Sequence, residues 1–141
     1  FTSPKPCEYD YNPANISQFR NWLVTVKYPD LAAVNAAHNI NYTNPDQIQP
    51  PKVNVATLDN MTNANVRAMY NSALFEDWYQ FNYNQLKSFL IECKNAVKAK
   101  NNDIKFCFEA GSNSDLLSSA RKTFNVPDIS TYADVLKTAF V

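Results

Sequence analysis

The sequence predicts an α/β fold, helix-rich with few parallel strands, and two observations carry that expectation. Apolar residues recur at helical spacing along much of the chain. From position 76 onward the pattern runs helix, strand, helix, strand, an alternation that favours a parallel sheet with crossover helices. Two strands are too few for such a sheet to stand alone, because each leaves an unpaired edge. The chain therefore reads as a slice of a larger α/β fold.

The elements come in order. Asn12 and Pro13 make an N-cap and a first helical residue. Ile16, Phe19, Leu23 and Val26 then recur at helical spacing, until Tyr28-Pro29 stops the helix. Asp30 caps a short second helix carrying Leu31 and Val34. A polar connection comes next, AAHNINYTNPDQIQPPK at residues 36–52, which holds the only histidine, His38. Thr62 starts another periodic stretch through Val66, Met69 and Ala73. The clearest helix is EDWYQFNYNQLKSFLIECKNAVKAKN, where Trp78, Phe81, Leu86, Phe89, Cys93 and Val97 form one stripe. Lys98 and Lys100 close it, where cations suit the helix dipole.

The period then changes. In DIKFCFEAGS, Ile104, Phe106 and Phe108 alternate with Lys105, Cys107 and Glu109, a strand that ends near Gly111, the only glycine. The alternation puts the first three on one side and the second three on the other, with Glu109 at the strand's carboxyl end. SDLLSSARK reads as a short helix capped by Ser114, and Pro127 breaks the segment after it. ADVLKTAF reads as the second strand.

Composition excludes several classes of function. At 141 residues, 45% of them hydrophobic, the chain is one ordinary domain's length and can bury a core. Thirteen basic and thirteen acidic side chains cancel, which gives no electrostatic case for a nucleic-acid partner or an anionic membrane. No apolar run approaches the roughly 18 to 20 residues of a membrane span. The opening Phe-Thr-Ser-Pro has neither Met nor a signal-peptide pattern, so the chain reads as processed, cut from something longer, or partial. A secreted or periplasmic location is the one favoured.

Cys7, Cys93 and Cys107 contain no CxxC pair, which argues against a zinc site and a disulfide framework; Cys93 and Cys107 read as small buried hydrophobes. No cofactor or metal is expected. Asn15-Ile-Ser, Asn41-Tyr-Thr and Asn60-Met-Thr match the glycosylation sequon, a match that arises readily by chance in so Asn-rich a chain. His38 has no nearby Cys, second His or carboxylate pair in sequence, which gives it a structural or surface role. Trp78, Tyr79, Phe81 and Tyr83 offer a sugar-stacking platform, but Trp78 and Phe81 at helical spacing read as core. Arg121 reads as a solvated charge at a helix end.

An ordered set of motifs carries a resemblance. Phe19, Arg20, Trp22 and Leu23 come first, followed by Val34, Asn35 and Ala37. Next come Tyr42, Thr43, Asp46, Ile48, Pro50 and Pro51, and finally Asp77, Trp78 and Phe81. Together they resemble the catalytic barrel of glycoside hydrolases of the family 42 β-galactosidase type, over about residues 15 to 90. His38 falls where that family usually has tryptophan, Asn39 on its glycine and Ile40 on its threonine. Asn tolerates the left-handed conformation that such a helix-ending turn needs.

The resemblance implies that residues 1–141 are a single, partial (β/α)8 TIM-barrel segment lacking the barrel's start and end. It implies a hydrolase of carbohydrate metabolism that cleaves O-glycosidic bonds with two carboxyl groups, about 5 to 5.5 Å apart in retaining enzymes. It places the acid/base Glu upstream of the F-R-x-W-L helix and the nucleophile beyond the end of this chain. Glu8 is then the candidate catalytic acid, with a solvated loop carboxylate as the alternative; the family's Asn-Glu pair is absent. At the carboxyl end of a parallel strand, Glu109, Ser112 and Asn113 are candidate substrate-binding residues, and Lys137 belongs to the same face. A loop ion pair or cap is the other reading of Glu109.

Two functions stand at this point. The chain is part of a glycoside hydrolase, inactive alone, whose partners are a carbohydrate substrate and the remainder of the barrel or another chain completing it. Alternatively, it is a non-catalytic α/β module that binds carbohydrate or protein.

Overall fold

The computed structural model describes residues 11–51, 68, 72–110 and 134–138. They divide into two compact units, 1–82 and 83–141. The first is built from helix α1 (Pro13–Trp22), a π-helical turn (Leu23–Lys27), helix α2 (Leu31–His38), a 3-10 turn (Pro45–Gln47) and the start of helix α3 (Ala73–Lys100). The second contains the rest of α3 and two strands, β1 (Cys107–Ala110) and β2 (Val135–Thr138).

The barrel-segment fold class is overturned. The described residues are mostly helical and make a small helical fold rather than an α/β layer structure. The only ladder among them is one parallel pair of four-residue strands, in the register Cys107 to Val135 and Glu109 to Lys137. The physical reason lies in where the apolar area goes. In the first unit it is buried helix against helix, with no sheet among the described residues to receive it.

Local chemistry accounts for each helix. The Asn12 side chain accepts the Asn15 N–H at 2.9 Å and Pro13 follows it, as the sequence predicts. The α-helical register ends at Trp22, where the chain widens into the π turn and the Tyr28 N–H reaches the Leu23 carbonyl at 2.9 Å. This widening breaks the apolar stripe: Phe19 and Leu23 are fully buried, but Val26 is turned outward and is 71% exposed. Asp30 caps α2 through the Ala33 N–H at 2.8 Å.

Helix α2 ends at Asn39, which has φ 53° and ψ 47° and is the only described non-glycine residue at positive φ. The N–H groups of Asn39 and Ile40 both reach the Asn35 carbonyl, so a left-handed residue satisfies the helix end.

The connection of residues 39–51 is ordered by side chains. Asn35 clasps Tyr42 twice at 2.9 Å, its amide nitrogen donating to the Tyr42 carbonyl and its oxygen accepting the Tyr42 N–H. Gln47 Oε1 accepts the Thr43 N–H at 2.7 Å, and Asn44 Oδ1 accepts the Asp46 N–H at 2.6 Å. Arg20 of α1 donates to the Ile48 carbonyl at 2.8 Å and pairs with Asp46 at 3.6 Å. Tyr11 donates to the Pro51 carbonyl at 2.8 Å. These bonds press Ile48 into the core, where it is fully buried with Phe19, Leu23, Val34, Trp78 and Phe81.

Trp78 is the largest buried side chain of this core. Phe19 meets it edge-on at 4.9 Å, and Tyr11 and Phe81 stack on it at 5.6 Å and 5.8 Å. Trp78 and Phe81 are therefore core, as their helical spacing implies.

In the second unit the apolar stripe is not continued. Leu86 is 44% and Phe89 61% exposed, and Leu90, off the expected stripe, is buried instead. The ladder begins at Cys107 rather than Ile104, so Ile104 and Lys105 lie outside it and are exposed. Glu109 is the third of four strand residues, and Ala110 ends the strand. Cys107 is exposed and Cys93 half-buried, which corrects their reading as buried hydrophobes. The predicted helix at Ser114 lies outside the described residues, and so does the stretch from Thr62 except Ala68, which is helical, and Ala73, which opens α3.

Replacing Asn39 with Gly is expected to leave stability unchanged or slightly raised, because Gly holds the same φ without a Cβ. Asn39→Val is expected to destabilise by about 1 kcal/mol or more, since a β-branched residue is strained there. Thermal unfolding checks both, and a neutral Asn39→Val contradicts the left-handed helix end.

Candidate functional site

The most heavily engaged polar centre of the first unit is Asp77, near the start of α3 and only 2% exposed. Its neighbour Trp78 points into the core, and the helix thereby carries the carboxylate inward with it. Three groups meet it. The Tyr28 hydroxyl donates to Oδ2 at 2.8 Å, and His38 Nε2 lies 2.8 Å from the same oxygen. Lys27 Nζ stands 3.5 Å from Oδ1 and also donates to Gln80 at 3.2 Å. Facing an ionised carboxylate, which only accepts, Nε2 would be the nitrogen of His38 that carries the proton.

The arrangement follows from the local folds. The π turn sets Lys27 and Tyr28 side by side at its exit, and His38 is the last residue of α2. The Tyr28 ring also meets the His38 ring edge-on at 6.0 Å. Burial first, and then the hydrogen bond to Asp77, raise the Tyr28 hydroxyl from 10.0 to about 12. Burial likewise pushes the Tyr42 hydroxyl up.

Chemically this is a holding site. A carboxylate that orients an imidazole is half of a nucleophilic triad, but the His38 side chain is 0% exposed. Its Nδ1 has no hydrogen-bond partner among the described residues, so no nucleophile is engaged there. No group of His, Cys, Asp and Glu suited to a metal ion occurs among the described residues. None of their helices is long and apolar enough to cross a membrane.

Sequence reasoning misses the His38–Asp77 pair. It finds no carboxylate near His38 because the two lie 39 positions apart. The available signal is Asp77 itself, a charge directly before a core tryptophan on the inner side of a helix.

The second unit has its own carboxylate, Asp134, just before β2. Lys98 donates to it at 2.9 Å and Lys94 stands at 3.5 Å, while it accepts the Phe106 N–H at 2.8 Å. Lys98 also donates to the Ile104 carbonyl at 2.7 Å, so one ammonium joins the end of α3 to the segments that lead into both strands. The Lys98 hydrogen bond, with that of the Phe106 N–H, holds the Asp134 carboxyl well below the usual carboxylate range.

Among the sequence-predicted site residues, Glu109 and Lys137 are brought opposite each other across the parallel ladder. Glu8, Ser112 and Asn113 lie outside the described residues. Comparisons with protein-family models, with curated proteins and with solved structures found no match.

Two outcomes test the Asp77 centre. Asp77→Ala strands buried donors and is expected to destabilise the first unit by about 3 kcal/mol or more in denaturant unfolding. Tyr28 has a folded-state value above its unfolded one, so its contribution is complete below pH 10 and is lost as pH rises toward about 12. Across that window wild type is expected to lose more stability than Tyr28→Phe. Equal losses would contradict the bond to Asp77.

Proposed function

We propose that this chain is a scaffold element of a carbohydrate-active glycoside hydrolase of the family 42 β-galactosidase type. It contributes substrate contacts and has no turnover alone. The observation that supports the reading is that the residues carrying the resemblance touch one another. Arg20 holds Ile48 and Asp46, Asn35 holds Tyr42, and Phe19, Trp22, Trp78 and Phe81 share ring contacts. Motifs scattered by chance along a chain have no reason to interlock in this way. Their interlocking makes the ordered set one structural unit, and its non-helical connection a built part of that unit. In this reading Glu109 and Lys137, in register on the ladder, are the candidate substrate-binding pair.

A second reading, a non-catalytic module that binds carbohydrate or protein, draws on the described carboxylates. Asp30 caps a helix, Asp46 pairs with Arg20, Asp77 is enclosed, and Asp134 clamps two lysines. Each of these four aspartates has a structural partner, while Glu76, Glu92 and Asp103 are exposed; glycoside hydrolysis needs a free acid and a second carboxylate beside the bond.

The chain alone is expected to release no aglycone from a panel of aryl glycosides, and release abolished by Glu8→Gln would contradict the scaffold role. Galactoside binding by calorimetry is expected to weaken about tenfold in Glu109→Gln, the effect of one lost charge-assisted hydrogen bond. Binding that is unchanged there and in Lys137→Met removes the sugar-contacting role.

A further inference from the structure

Three sequons occur in the chain, and the fold treats the two described ones very differently. Asn15 lies in the first turn of α1, and its amide nitrogen donates to Asn82 Oδ1 at 3.3 Å. That nitrogen is the atom a glycan would occupy. Asn60 lies outside the described residues. Asn41 follows the left-handed Asn39 by two residues and belongs to neither helix nor strand. It is exposed, and its side chain makes no hydrogen bond among the described residues.

The backbone around Asn41 explains why. Asn35 grips both the N–H and the carbonyl of Tyr42, the middle residue of the sequon, and the Tyr42 ring packs against the core. With the middle residue fixed inward in a non-helical segment, Asn41 and Thr43 on either side are both exposed. The Thr43 hydroxyl has one hydrogen bond among the described residues, to Gln47 Oε1 at 3.2 Å at the surface.

From this we infer that Asn41 is an acceptor for an N-linked glycan. The reaction is transfer from a lipid-pyrophosphate-linked oligosaccharide by a host transferase. The Asn41 amide nitrogen forms a bond to the anomeric carbon, the bond from that carbon to the pyrophosphate oxygen breaks, and the amide gives up one proton as the lipid pyrophosphate leaves. A bulky, hydrated substituent at this position displaces no hydrogen bond among the described residues. The same substituent on Asn15 breaks its bond to Asn82. The inference is independent of the proposed hydrolase role.

The test is expression of the full chain through a eukaryotic secretory pathway, with a control sequon in an appended C-terminal tail. Intact mass and peptide mapping, before and after enzymatic removal of N-glycans, read each site. Asn41 is expected to be occupied, and the occupancy is expected to vanish in Asn41→Gln and in Thr43→Ala. The secreted protein is expected to unfold within about 2 °C of its deglycosylated form, as a surface change would give. A modified tail with Asn41 bare overturns the proposal. So does a glycan at Asn41 found only in chains that fail to fold, or a folded chain carrying its glycan on Asn15.

Discussion

The first unit depends on a carboxylate that is taken out of water. A buried ion left alone is penalised by several kcal/mol, so Asp77 is tolerable only where the chain brings donors to it. Those donors come from two earlier elements: Lys27 and Tyr28 from the exit of the π turn and His38 from the end of α2. The requirement is therefore a topological one. Helix α3 enters in a single register, because a rotation of one residue would exchange Asp77 for Trp78 and strand both. Apolar packing alone gives a weaker constraint, since hydrophobic side chains of similar volume are interchangeable at modest cost.

The non-helical connection has the same logic. A segment of this length buries backbone only if its N–H and carbonyl groups find partners. Asn35, Gln47, Asn44 and Arg20 supply them, three of these being amide side chains that offer donors and acceptors without a net charge. The abundance of Asn that makes sequons cheap by chance also builds this loop. With the backbone satisfied, Ile48 can sit in the core beside Phe19 and Trp78. The connection is thus part of the core's wall rather than a spacer.

Legibility from sequence divides along the range of the forces involved. The N-caps at Asn12 and Asp30, the helix end at Asn39 and the core role of Trp78 and Phe81 rest on residues within a turn or two of each other, and all were legible. The exposure of Val26 was not, because a π turn leaves no periodic mark and shifts every later side chain. Leu86 and Phe89 show the limit of periodicity: it says which residues share a face but not whether anything packs on that face. The barrel class failed for a related reason. Alternation identified two segments where strands do form, and a parallel pair of four residues each is far short of the layered sheet inferred from them. The sequence placed Glu109 and Lys137 on two strands but not their register, and the His38–Asp77 pair of the first unit depended on tertiary contact alone.

His38 also bears on the one departure from the resembled family that falls inside the first unit's polar centre. The resemblance gives that position to tryptophan. An indole and an imidazole protonated on Nε2 have one property in common: each presents a ring N–H donor at the end of a flat, largely apolar body. Asp77 requires of the position that donor, delivered at hydrogen-bond length from a side chain that excludes water. His38 meets both conditions, at 2.8 Å and with its side chain fully buried. The Tyr28 ring stands edge-on to the imidazole at 6.0 Å. His38 therefore supplies the ring donor on which the unit's register depends.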